Sequence, residues 1–171
     1  MAWTTPSTWV SGAILTAAQL NTQVRDNLDA IGGAWTSFTP SWTNLTVGTG
    51  GSAANTGHYI AAGKLYIVRV SVTLGSSGAS FGTDPFLTLP NSSTLATASQ
   101  GGSVHLGVCA FTDSGVNSFF GFVGAQSSTQ VRFRLFRADG TYVSVATPSA
   151  TVPFTWGSAD LLTCQFMYEA A

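Results

Sequence analysis

The sequence predicts a mainly β protein, an antiparallel β-sandwich of jelly-roll-like type, preceded by a short N-terminal arm and one α-helix. Three observations predict it. From Ala34 onward, apolar residues recur with period two in short segments. Clusters of Gly, Ser, Asn and Pro separate those segments, among them GTGGSA at 48–53, GSSGAS at 75–80 and PNSS at 90–93. A helical period occurs once, ahead of all of them. At 171 residues the chain suits one domain with a short appendage, and it can bury a real core without disulfides. The expected division is 1–33, a docking arm and oligomerisation helix, and 34–171, a β-sandwich head.

Residues 1–13 carry Trp3, Pro6, Trp9 and Gly12 without periodicity, which reads as an irregular arm with Trp3 and Trp9 as docking anchors. Thr16 followed three residues later by Gln19 forms a capping box, and Leu20, Val24, Leu28 and Ile31 then recur until Gly32-Gly33 ends the helix. The expected helix spans about 16–31. Written as heptads, Ala17, Val24 and Ile31 take the a positions and Leu20 and Asn27 the d positions, with Leu28 beside them. A helix this short is marginal alone, so its stripe packs either on the β domain or on copies of itself. Asn27 has two readings: a polar seam residue that sets register between copies, or a solvated residue with Leu28 making the contact to the domain.

In KLYIVRVSVTL at 64–74, Tyr66, Val68, Val70, Val72 and Leu74 share one face, and Arg69, Ser71 and Thr73 the other, the pattern of a half-buried strand. Similar segments lie at 38–47, 57–62, 86–89, 103–112, 117–125, 129–137, 141–146, 151–155 and 160–168. The sharpest hairpin is VRFRLFRADGTYVSVAT, where Asp139-Gly140 supplies the positive φ angles of a tight turn. There Val131, Phe133 and Leu135 point one way and Arg132 and Arg134 the other. Nine or ten such strands with no helix among them indicate an antiparallel sandwich, and no repeat of propeller or solenoid length is visible.

Charged residues make up 8% of the chain, against about 25% in ordinary domains. Ser and Thr outnumber them roughly threefold. A net charge of −1 supplies no field to recruit nucleic acid or an anionic membrane, so neither is an expected partner. A surface with few charges suits a subunit hidden in an assembly better than a free monomer. No apolar run is long enough to span a bilayer, and Met1 to Trp9 lack the basic start and apolar block of a signal peptide. Cys109 and Cys164, without CxxC spacing, read as two separate buried thiols.

Catalytic groupings are sparse. Asp26 and Asp29 sit on the polar face of the helix, Asp139 in a turn and Asp84 before Pro85 in a loop, each with an ordinary structural use. His58 and His105 stand in separate segments without HxH or HExxH spacing, and no G-x-S-x-G elbow occurs. GTGGSAANTG matches a phosphate loop in composition only, since no Lys follows; it reads as a flexible loop. Arg132, Arg134 and Arg137 interleave with Phe133 and Phe136, placing the arginines on an exposed or inter-subunit face and the phenylalanines in the core. No catalytic residue, metal ligand or cofactor site is expected. Binding remains, with Trp35 and Trp42 flanking the helix–sheet junction as fasteners between those parts or between subunits.

WVSGAILTAAQLNTQVRDNLDAIGGAW, with Trp9, Gly12, Leu15 to Ala18, Leu20-Asn21 and Arg25 to Leu28, resembles the N-terminal module of many tailed-bacteriophage virion proteins. FTPSWTNLTVGTG, GHYIAAGKLYIVRVSVTLG and the terminal PFTWGSADLLTCQFMYEAA look like the β domain usually attached to it in minor tail, fibre or head-decorating proteins. The resemblance implies a non-enzymatic structural protein of the virion, made in the host bacterial cytoplasm. It is expected to be commonly trimeric, docked on other virion proteins through its N-terminal segment, with the sandwich projecting toward a host surface glycan. Capsid decoration is the alternative use within that family, and a free carbohydrate-binding module is the alternative outside it.

Overall fold

The computed structural model describes residues 4–96, 105–139 and 141–171. An arm and a helical segment lead into ten strands: β1 (Thr36–Phe38), β2 (Trp42–Thr46), β3 (Ala54–Ala62), β4 (Leu65–Thr73), β5 (Ser80–Thr88), β6 (His105–Asp113), β7 (Asn117–Ala125), β8 (Gln130–Asp139), β9 (Tyr142–Ala146) and β10 (Leu161–Glu169). All form one antiparallel sheet in the order β1-β3-β4-β10-β6-β7-β8-β5-β2, with β9 paired to β8. The chain is thus mainly β and antiparallel.

The sheet has to curl. Strands β1 and β2 lie at opposite ends of the order, yet only residues 39–41 join them, a span of roughly 14 Å at full extension. Trp42 on β2 donates from Nε1 to Asn55 Oδ1 on β3 at 3.0 Å, and Asn55 Nδ2 donates back to the Pro40 carbonyl at 2.9 Å. Two side chains therefore bridge the sheet's two ends and leave a sandwich-like shell around one core.

That core follows the alternation read from the sequence. Val68, Val70 and Val72 of β4 point inward beside Leu162, Cys164 and Phe166 of β10, and they meet Phe111, Val123, Val131 and Phe133 from β6 to β8. Each fully buried side chain of this size contributes about 1.5–3 kcal/mol. At one end Tyr59, Tyr66 and Tyr168 stack at 5.8 and 5.1 Å between centroids, and the Tyr168 hydroxyl shares a 2.6 Å hydrogen bond with Ser93. Farther along, Trp156 stacks on Phe81 at 3.8 Å.

Several expectations change in detail. The segment 38–47 is two short strands, because Pro40 lacks the N–H that a continuous ladder needs. Residues 151–155 are not a strand: Ser149 and Val152 exchange backbone hydrogen bonds at 3.0 and 3.2 Å, so the stretch turns back. The glycine-rich loop after β2 is tied by the Thr49–Ser77 bridge to the loop after β4, and its last residues already belong to β3. Asp84 sits inside β5 instead of a loop, at φ 51°. The β8–β9 hairpin forms with Asp139 opposite Tyr142; Gly140 of its turn lies outside the described residues.

Candidate interaction surfaces

The helical segment is built as the capping box directs. Thr16 Oγ1 accepts from the Gln19 N–H at 3.2 Å while Gln19 Oε1 accepts from the Thr16 N–H at 2.9 Å. Helix α1 (Ala17–Leu20) runs into a π turn (Asn21–Arg25) and then α2 (Asp26–Gly32). Gly33 stops it, in a place where a Cβ would lie 2.7 Å from the Asp29 carbonyl oxygen. A π turn is wider than an α turn, so it interrupts the heptad phase halfway along the segment.

The protected side of this segment is polar. Asn27, 4% exposed, accepts from the Thr4 N–H and donates to the Thr4 carbonyl, both at 2.9 Å, and also donates to the Gln23 carbonyl at 3.1 Å. One turn earlier, Gln23 Oε1 accepts from the Ser7 N–H at 2.8 Å. Two amides at i and i+4 thus clip the arm along the helix, a use of Asn27 that neither sequence reading contained.

The apolar side faces out. Leu20 is 42%, Val24 43% and Leu28 62% exposed, with Ile14 and Val10 still more so; Ala17 and Trp9 are exposed as well. Ile31 belongs to the backbone of α2, but its side chain lies outside the described residues, and Trp3 lies outside them altogether. Within one chain the helical segment touches the sheet near β3. Trp35, just past the helix, carries the Arg69 guanidinium 4.3 Å above its ring, and so fastens the helix end to β4, whereas Trp42 fastens β2 to β3.

A second surface escaped the sequence reading. On the outer face of the sheet, Val108 on β6 stands opposite Phe122 on β7, Ala110 opposite Phe120, and Phe136 on β8 opposite Val145 on β9. The Phe122 and Phe136 rings lie 5.7 Å apart, and His105 meets Phe122 edge-on at 4.1 Å. Phe136 therefore lies outside the core: it shares the parity of Arg132 and Arg134, and only Phe133 points inward. The available signal was the two-faced apolar run NSFFGFVGA, since a strand with one solvated face alternates and this one does not. Beside this patch runs an open groove of about 420 Å³, walled by His58, Arg69, Thr163, Gln165, Val108 and Phe120.

Several titratable groups hold structural contacts. Arg134 reaches the Asp84 carboxylate with Nη1 and Nη2, at 2.5 and 3.3 Å, which ties β8 to β5 within the chain. Asp160 is buried and accepts from the Ser114 N–H at 3.0 Å and the Gly157 N–H at 2.6 Å. Asp26 pairs with Arg25 at 2.8 Å. Cys109 and Cys164 are two free, buried thiols, as expected, and they stand directly opposite each other on β6 and β10. Burial pushes the Cys109 thiol up to about 12, and burial together with the neighbouring Cys109 raises Cys164. Among the described residues no three His, Cys, Asp or Glu side chains cluster as metal ligands would. No helix there is long and apolar enough to cross a membrane.

Comparison with family models, with curated proteins and with solved structures finds no match for this chain.

Proposed function

We propose that this chain is a non-enzymatic structural subunit of a tailed-bacteriophage virion, a tail or fibre module that assembles through its N-terminal segment and projects its β domain for attachment to the host surface. The observation that carries this reading is the helical segment itself. Its polar side is closed by its own arm, while Leu20, Val24 and Leu28 remain exposed and are left for other copies of the chain. A short helix with an open apolar stripe gains its stability from association. The sparse charge of the whole chain and the resemblance of residues 9–35 to virion modules point the same way.

Light scattering on the full chain tests the assembly. An oligomer, a trimer on this reading, is expected at micromolar concentration, and a stable monomer there overturns it. Antibody labelling of intact particles tests the location: signal on the tail supports the tail or fibre module, signal on the shell assigns the chain to capsid decoration, and no signal removes it from the virion.

A further inference from the structure

We infer that the exposed stripe of the N-terminal helix docks on the outer face of β6–β9 of a second copy, so that one head-to-tail contact covers both apolar surfaces of the chain. The inference rests on the assembly reading above and names the receiving surface.

Both surfaces stay open within a single chain. The helix meets its own sheet near β3, and β4, β10 and β6 separate β3 from β7, about 19 Å at the usual strand spacing. The receiving face is built from Val108 (66% exposed), Phe120 (67% exposed), Phe136, Val143 and Val145, with Phe122 half-buried among them. With about 200 Å² for a fully exposed aromatic ring, these residues present roughly 500 Å² of apolar surface. One side of a standard interface buries about 800 Å², a little over half of it apolar, so the patch is the size that a specific partner needs. That area lies within the range of about 300–600 Å² found for the largest apolar patch of a typical monomer, a patch that is often functional.

Charge and shape favour the helix of another copy as the occupant. The helical segment carries Asp26 and Asp29 against a single Arg25, and Arg132 stands at an outward-facing position flanking the patch. The helix offers a narrow ridge, and the sheet offers a row of side chains bordered by the groove at His58, Arg69 and Gln165. A ridge on one surface and its seat on another make a heterologous contact, which closes into a ring when the rotation between copies is a whole fraction of a turn.

Cysteine cross-linking in the full chain tests this. The double variant Val24→Cys/Val108→Cys and each single variant are treated with a short bis-maleimide; all of these positions are exposed, and the native thiols are buried. The expected result is a ladder of covalent oligomers from the double variant and little from either single variant. Phe120→Asp is expected to raise the dissociation constant about a hundredfold with an unchanged melting temperature. A ladder from Val24→Cys alone shows helix against helix; it overturns the inference and leaves the assembly reading standing. An oligomeric mass with no ladder from the double variant, or one unmoved by Phe120→Asp, also overturns the inference. A monomeric wild-type mass overturns both.

Discussion

Asn27 clips the N-terminal arm to the helix through both ends of its amide. At a d position it reads as a register-setting polar residue or as a solvated one, yet both its amide oxygen and its amide nitrogen are engaged with Thr4. Asn27→Ala is expected to free the arm at a local cost of about 1–2 kcal/mol. Limited proteolysis should then cut within residues 4–13 faster while the β domain melts as before. Asp160 has a larger task, because two N–H groups lose their acceptor when it is removed. Asp160→Ala should cost about 2–4 kcal/mol in denaturant unfolding. Cys109 leads to a pH prediction. Its folded value is raised, so its contribution to stability is complete below the unfolded value of about 9 and is lost as pH rises through about 12. Unfolding followed across that window should show a falling stability, and the slope should flatten in Cys109→Ala/Cys164→Ala.

Among the elements, the strand with the cleanest alternation was the most legible. Residues 64–74 hold their inward valines where period two places them, since a half-buried strand states its own orientation. Less legible were segments whose fate depends on neighbours. The stretch TVPFT at 151–155 looks like a strand, but it folds back at the Ser149–Val152 bridge and packs Phe154 against Trp156. In β7 the apolar run FFGFVGA hid a second exposed face, which is why Phe120 was missed. Gly121 illustrates an element-level constraint: its absent Cβ would strike the Arg134 carbonyl oxygen on β8. Gly121→Ala should therefore cost about 1–3 kcal/mol, read as a lowered melting temperature. For the helix, Leu20→Asp/Val24→Asp is expected to reduce the mass by light scattering and to leave the melting of the β domain unchanged, because both side chains are exposed within the chain.

For the whole molecule, the distribution of apolar surface is the informative quantity. A curled sheet around one core has used its inward positions fully, and among the described residues apolar surface stays exposed on the helix and on the outer face of the sheet. The proposed assembly gives both a partner. On that proposal, a chain lacking residues 1–33 keeps a folded β domain, as circular dichroism would show, and no longer enters particles, as purified virions would show. Normal incorporation of that truncated chain would remove the docking role from the N-terminal segment.

The sequence by itself determined most of the stretches that become strands, the two ends of the helical segment and how sparse the charge is. Each depends on residues close along the chain: a period, a cap, a glycine pair. Only the tertiary structure decided the strand order, the bridge from Trp42 to Asn55 that holds the curled sheet's ends together, the intrachain pairing of Arg134 with Asp84 and the facing of Cys109 by Cys164. It likewise decided which apolar residues stay outside. Those outcomes depend on pairings between segments far apart in sequence, and a local pattern carries no information about which distant strand will lie beside it.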